Sequence, residues 1–440
     1  MIDGVRVRSL TVRGRGNAGA HLGRGQGRVK SRGTGRFPGR LPPRRASASL
    51  RAGLRPRARE NDKTVLELHM ADHSPPEQPL EAATEARGAA NPPAGWRRPP
   101  HHHFRQAYAA IDLGTNNCRL LIARPTGENF VVIDAFSRVV RLGEGVAQTG
   151  RLSDEAMDRA VGALKICADK LRRRNVHLAR SVATEACRRA SNGEAFIERV
   201  KRETGIVLDV ISAQEEARLA VLGCHILLED GIGPAMIFDI GGGSTELVLI
   251  EPGGPVPRIV DWQSVPWGVV SLTETVGHET DDTGAEERAA RYAEMRRIVS
   301  ESFAEFAERI APHRAPDLRL LGTSGTVTTL ASVHLGLPQY DRNAVDGLIV
   351  PGESMREICA NLAQMPPPER RRLPCIGQER ADLVVAGCAI LEAILDIWPA
   401  PRLGVADRGI REGILRSLMA ADVEGHEARA ALKSVKQGSA

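Results

Sequence analysis

Aromatic side chains are scarce: Phe, Tyr and Trp make up 3% of the 440 residues, with 3 Tyr and 4 Trp. The hydrophobic share is nonetheless 42%, so any core must be aliphatic and Ala-rich. No run of 18 uncharged apolar residues occurs, and that is about the length a membrane span requires. The amino terminus also lacks the apolar centre of a secretory signal. The seven cysteines (118, 167, 187, 224, 359, 375 and 388) never come closer than 13 positions. Zinc-binding spacings and C-x-x-C pairs are therefore absent, and isolated thiols suit a reducing, cytoplasmic setting. No G-x-x-x-x-G-K-[ST] occurs, which excludes a P-loop enzyme. The stretch Gly322-Thr323-Ser324-Gly325-Thr326 is not G-x-S-x-G and has no His/Asp partner pattern, which excludes a serine hydrolase.

Acidic residues are missing from one region in particular. Residues 1–60 hold 15 Arg and one Lys against Asp3 and Glu60, a net of +14, so the remaining chain carries +6 less +14, or −8. The basic balance belongs to the tail and does not imply nucleic-acid binding by the folded part. Residues 1–104 are rich in Arg, Gly, Pro, Ser and Ala and show no sustained period. Such a segment buries too little apolar surface to offset its ordering entropy and is expected to be disordered. Its Arg-rich start has transit-peptide character, and an interaction arm for polyanions is an alternative. The preferred reading is an over-extended reading frame with the true start at Met70. The tract His101-His102-His103 in such a linker is expected to bind nothing specific.

The informative feature is an internal repeat. From Tyr108 the chain reads YAAIDLGTNNCRLLIARP, and from Met236 it reads MIFDIGGGSTELVLIEP. Each copy is an apolar run, an Asp, a Gly-rich turn with hydroxyl or amide residues, and a second apolar run, which reads as a β-hairpin. Asp112 and Asp239 stand in register, 127 residues apart. Glycine lets backbone approach a ligand closely, and successive amide N–H groups in such turns cradle anions. Gly114, Thr115, Asn116 and Asn117 in the first turn, with Gly241, Gly242, Gly243, Ser244 and Thr245 in the second, are candidate phosphate binders. A carboxylate beside a phosphate repels it unless a cation lies between them, so Asp112 and Asp239 point to Mg²⁺.

Between and beyond the hairpins the pattern is helical with short strands. Residues 153–174 form a helix capped by Ser153, with Arg172, Arg173 and Arg174 at its carboxyl end. A strand follows over 176–183, a helix near 193–204, and a strand over 206–211. Ser212 and Glu215 make a capping box ahead of an apolar run. That occupies Glu215 and leaves Glu216 without a structural task, and Arg218 is expected to pair with a neighbouring acid. Helices are expected near 283–311 and over 379–397. Residues 319–333 read as a third Gly-rich turn between strand and helix.

The paired hairpins resemble the phosphate loops of the actin, sugar-kinase and chaperone-ATPase superfamily. The segments ATEACRRASNGEAF and SAQEEAR narrow this to a resemblance to the exopolyphosphatase / guanosine pentaphosphate phosphohydrolase family, over about residues 106–416. The resemblance implies an α/β, two-lobed, duplicated ribonuclease-H-like fold with a cleft between lobes. Lobe I would span 105–218 and lobe II 219–420, with a flexible tail over 421–440. It further implies that Arg188 faces the phosphate, that Glu216 deprotonates the attacking water, and that Glu246 joins Asp112 and Asp239 in holding Mg²⁺ or Mn²⁺. Ala213 stands where many relatives have Gly.

No His-Asp dipeptide occurs, so the chain resembles the short form of the family, which lacks a carboxyl-terminal HD-type helical domain, and strong processivity is not expected. The implied activity is release of terminal phosphate from inorganic polyphosphate, with guanosine pentaphosphate as the alternative substrate. The competing classes are an actin-like small-molecule kinase and a nucleotide-gated scaffold, and the E-E-A-R match argues against both. Homodimers are implied by the resemblance alone, and no nucleic-acid or membrane partner is expected.

Overall fold

Two hairpins set the frame. In the computed structural model, which describes residues 106–437 except 128, 255 and 379, with side chains through 423, β1 (Ala107–Leu113) pairs antiparallel with β2 (Asn117–Thr126), and β3 (Asn129–Val139) extends the pair. The chain continues through α1 (Val146–Thr149), α2 (Asp154–Arg173), β4 (Val176–Ala183), α3 (Glu185–Arg189), α4 (Gly193–Thr204), β5 (Leu208–Val210) and α5 (Ala213–Cys224). The second half repeats the plan with β6 (Ala235–Ile240), β7 (Thr245–Glu251), β8 (Arg258–Val265), α6 (Val269–Val276), α7 (Ala285–Ile310), β9 (Arg319–Thr323) and α8 (Gly325–His334). It closes with α9 (Arg342–Val345), β10 (Ile349–Pro351), α10 (Gly352–Gln364), α11 (Pro367–Arg370), α12 (Val384–Ile397), β11 (Arg402–Ala406) and α13 (Ile410–Gln437). The readings for residues 1–104, including Met70 and the His tract, lie outside the described residues.

The sheets are ordered β3-β2-β1-β4-β5 and β10-β11-β9-β6-β7-β8. Apart from the added edge strand β10, the second is the first repeated. In each, a hairpin strand (β1 or β6) pairs parallel with the next strand (β4 or β9), which pairs parallel with another. The fold is thus the α/β, two-lobed, duplicated actin-like architecture that the sequence implies.

Strand parity explains where the site falls. On β1, Ala107, Ala109, Ile111 and Leu113 face a core formed with α2 and α4, whereas Tyr108 and Ala110 face Leu219 of α5 and Ile414 and Leu415 of α13. On β6, Met236, Phe238 and Ile240 join the large core under α7 and α12, and Ala235 and Ile237 face Ala217, Val221 and Cys224 of α5. Side chains alternate along a strand, so Asp112 and Asp239 fall on the two inner faces, at the carboxyl ends of their strands. Ligands collect at such ends in α/β sheets.

Several local expectations need correction. Residues 421–437 continue α13 instead of forming a flexible tail, and Ile414 and Leu415 of that helix pack on the first sheet. The strand read over 206–211 is confined to Leu208–Val210, and the helix read from 379 starts at Val384. Ser212 Oγ accepts the Glu215 amide at 3.2 Å, but the Glu215 carboxylate does not return to the cap. It accepts from Arg180 Nη1 at 3.0 Å and Arg218 Nε at 2.7 Å, because two guanidinium contacts outweigh one amide. All seven cysteines are unpaired and six are buried. They are less isolated than their spacing suggests, since Cys118 meets Cys167 and Cys359 meets Cys388.

Candidate active site

The carboxyl ends of β1 and β6 open into a cleft that is continuous with solvent. Each hairpin turn closes on itself by one backbone bond: the Gly114 amide donates to the Asn117 carbonyl and the Gly241 amide to the Ser244 carbonyl, both at 2.9 Å. The turns touch. A Cβ on Gly242 would lie 3.1 Å from the Asn116 nitrogen, and one on Gly243 would lie 2.6 Å from Thr115 Oγ1. Only glycine permits this approach, which brings both turns to the wall of one cleft.

Most of the residues singled out in the sequence line this cleft: Asp112, Gly114, Thr115, Asn116, Asn117, Glu216, Asp239, Gly241, Gly242, Gly243, Ser244 and Glu246. Thr245 and Arg188 are not on its wall. Thr245 is fully buried, and its hydroxyl donates to the Trp267 carbonyl at 2.7 Å. Arg188 lies behind the wall, where its Nη1 donates to Glu216 Oε2 at 2.9 Å and to the Ile211 carbonyl at 2.7 Å. Its Nε and Nη2 donate to Glu185 Oε2 at 3.1 and 2.6 Å.

Register brings the acids together. Asp239 stands directly across the second hairpin from Glu246, and residues opposed in this way share a face. Glu216 reaches the same space from the first turn of α5, and its residue surface is 7% exposed. Burial, and then the Glu246 charge, pushes Glu216 well above the ordinary Glu range, while Arg188 pulls the other way. Asp239 is pushed up to about 6 by burial and then by Asp112. Glu246 rises to about 7 through burial and then Asp239, although Ser264 Oγ donates to it at 2.8 Å. Burial also raises Asp112, against the pull of Arg119 and Arg411.

Four carboxylates that repel one another in a buried space fit a hard divalent cation. One atom is already poised for it, since Asp112 Oδ1 is buried without any hydrogen-bond partner. Among the described residues no three Asp, Glu, His or Cys side chains stand close enough to hold an ion unaided. This suits a divalent cation held by one or two carboxylates and completed by phosphate oxygens and water.

Sequence reasoning missed the cleft's positive charge. Arg119, Arg380, Arg408 and Arg411 all line it. Arg119 was legible: it faces Asp112 across the first hairpin as Glu246 faces Asp239 across the second. Arg119 and Arg380 converge on Gly325, with guanidinium nitrogens 3.5 and 3.8 Å from where a Cβ would stand. Arg408 is occupied by Asp346, Nε to Oδ2 at 2.7 Å. Beside them Ser324 takes φ 86° and ψ 179°, a region of strain for any residue but glycine, with its hydroxyl on the Ile240 carbonyl at 2.6 Å.

Twin lobes, twin amide turns and a shared acid cluster define a two-lobed, actin-like enzyme that handles phosphoryl groups. The chain belongs to the Ppx/GppA phosphatase family, whose profile matches residues 121–422, and it is a phosphohydrolase. It is 34% identical over 324 residues to Exopolyphosphatase 2 of Mycobacterium tuberculosis, covering 70% of this chain and 98% of that one. The crystal structure of the Aquifex aeolicus Ppx/GppA family member is 31% identical, with a TM-score of 0.58 over 72% of this chain and 98% of its own. An exopolyphosphatase from Cytophaga hutchinsonii is 26% identical, with a TM-score of 0.63 over 72% of this chain and 98% of its own. Among the described residues no helix is long and apolar enough to cross a membrane.

Proposed function

We propose that this cleft hydrolyses the terminal phosphoanhydride bond of inorganic polyphosphate. The observation that carries the reading is the meeting, in one cleft, of two amide turns, the Asp112–Asp239–Glu246 acids and the buried Glu216. The relatives named exopolyphosphatases support the choice of substrate. The amides of Thr115 to Asn117 and of Gly242 to Ser244 would hold the terminal phosphate, while those of Gly114 and Gly241 close the turns. One or two of Asp239, Glu246 and Asp112 would hold Mg²⁺ or Mn²⁺ directly and the rest through water, and the ion would supply charge neutralisation at the phosphate oxygens when bound.

Glu216 positions a water in line with the bond to be broken. Arg188 occupies its Oε2 and leaves Oε1 to take the water's proton. As the water oxygen bonds to phosphorus, the bond to the bridging oxygen breaks, and its electron pair leaves with the shortened chain. Such transfers depend on positioning and charge more than on covalent chemistry. Arg119, Arg380 and Arg411 lie where following phosphates would pass.

Phosphate release from long-chain polyphosphate with Mg²⁺, run beside guanosine pentaphosphate and ATP, tests the reading. Glu216→Gln is expected to cut the polyphosphate rate by about 10²–10⁴ with its fold retained. Release from guanosine pentaphosphate alone would make the protein an alarmone hydrolase with the same site. Near-full activity in the variant would remove Glu216 from the chemistry.

A further inference from the structure

A carboxylate stands in the phosphate cradle with no part in the reaction proposed above. Glu185 opens α3 and lines the cleft beside Gly243, where a Cβ would come within 3.0 Å of its Cγ. Its side chain is 14% exposed, and Oε2 takes both Nε and Nη2 of Arg188. The remaining nitrogen, Nη1, is spent on Glu216 and the Ile211 carbonyl. Every nitrogen of Arg188 is therefore engaged, and its guanidinium stays off the cleft wall. A guanidinium fork binds carboxylate and phosphate alike, and Glu185 takes the edge that a phosphate would take.

We propose that Glu185 is a positioning residue that holds Arg188 as a stand-in for phosphate. An incoming terminal phosphate must displace it, and the product is released more readily because Glu185 competes to return. The displaced carboxylate remains beside the cleft and repels the bound phosphate, which acts on substrate and product alike. This inference rests on the phosphohydrolase reading and concerns affinity, whereas Glu216 concerns the chemical step.

The test compares full-length wild type with Glu185→Gln, which keeps shape and one acceptor but removes the charge. KM for polyphosphate and the inhibition constant of orthophosphate should both fall by about three- to ten-fold, the worth of one modest polar contact. The turnover number should stay level or drop as product leaves more slowly. Unchanged or raised constants in a folded variant would overturn the proposal. If Glu185→Gln does not fold, Glu185→Asp, which withdraws the carboxylate by one methylene, should show a smaller fall in both. Should wild type release no phosphate from any substrate, the reading of the reaction fails. Calorimetric titration of orthophosphate then decides this inference separately, with tighter binding to the variant supporting it and equal or weaker binding refuting it.

Discussion

Thr245 and Glu246 are adjacent yet serve opposite faces of β7. The Glu246 carboxylate looks into the cleft, and the Thr245 hydroxyl satisfies the Trp267 carbonyl in the interior. Thr245→Val should therefore leave KM for polyphosphate unchanged and lower stability by about 1–3 kcal/mol, because a buried carbonyl loses its donor. Kinetics beside a denaturant melt checks this, and a raised KM with unaltered stability would return the hydroxyl to the substrate. The signal for Thr245 was present in the sequence: once Glu246 is assigned to the cleft, period-two alternation sends its neighbour away. Arg119 was equally legible through the repeat. The partners of Arg188 were not. They combine a neighbour three residues back, Glu185, with a carbonyl at Ile211 and a carboxylate at Glu216, and nothing in local pattern fixes that meeting.

Helix α5 packs on both sheets and α13 on the first, and glycine lets the two helices cross at backbone contact. A Cβ on Gly413 would run into the Leu219 carbonyl, and one on Gly223 into the Gly409 carbonyl. Neither backbone can withdraw easily, because Leu219, Ile414 and Leu415 are fixed in the core under the first sheet and Ala217 and Val221 in the core under the second. Gly413→Ala should cost about 1–3 kcal/mol or more, read as a lower denaturant midpoint. It should also reduce turnover, since α5 carries Glu216 and α13 begins beside Arg411. A variant as stable and active as wild type would show that the helices have room to part. Periodicity and capping residues revealed that these helices exist. They could not reveal that α13 returns to β1, where Tyr108 donates to Asp422 at 2.7 Å across 314 residues. That contact belongs to tertiary packing.

Across the whole molecule, the cleft draws its acids from both sheets, Asp112 from one and Asp239 and Glu246 from the other, so their repulsion acts between lobes as well as within them. A contact between the lobes opposes it: Glu274 of α6 accepts the Gly145 amide, ahead of α1, at 2.8 Å. A carboxyl group whose pKa is higher in the fold than in the open chain keeps its proton more tightly when folded. Its folding contribution is therefore present at low pH and lost as pH rises through the folded value. Asp239, raised from 3.8 to about 6, and Glu246, raised from 4.5 to about 7, place that loss between about pH 4 and pH 7. Chelator-treated protein should melt several degrees lower at pH 7.5 than at pH 5, about 2–4 °C for each kcal/mol in a chain of this size. Saturating Mg²⁺ should flatten the decline by binding the ionised acids. Glu246→Gln should lessen the decline without any added ion, and it should weaken the response to Mg²⁺. Scanning calorimetry at both pH values, with and without Mg²⁺, reads all of these effects. An equal decline with and without Mg²⁺, in wild type and variant alike, would mean that these acids neither strain the closed cleft nor hold a cation.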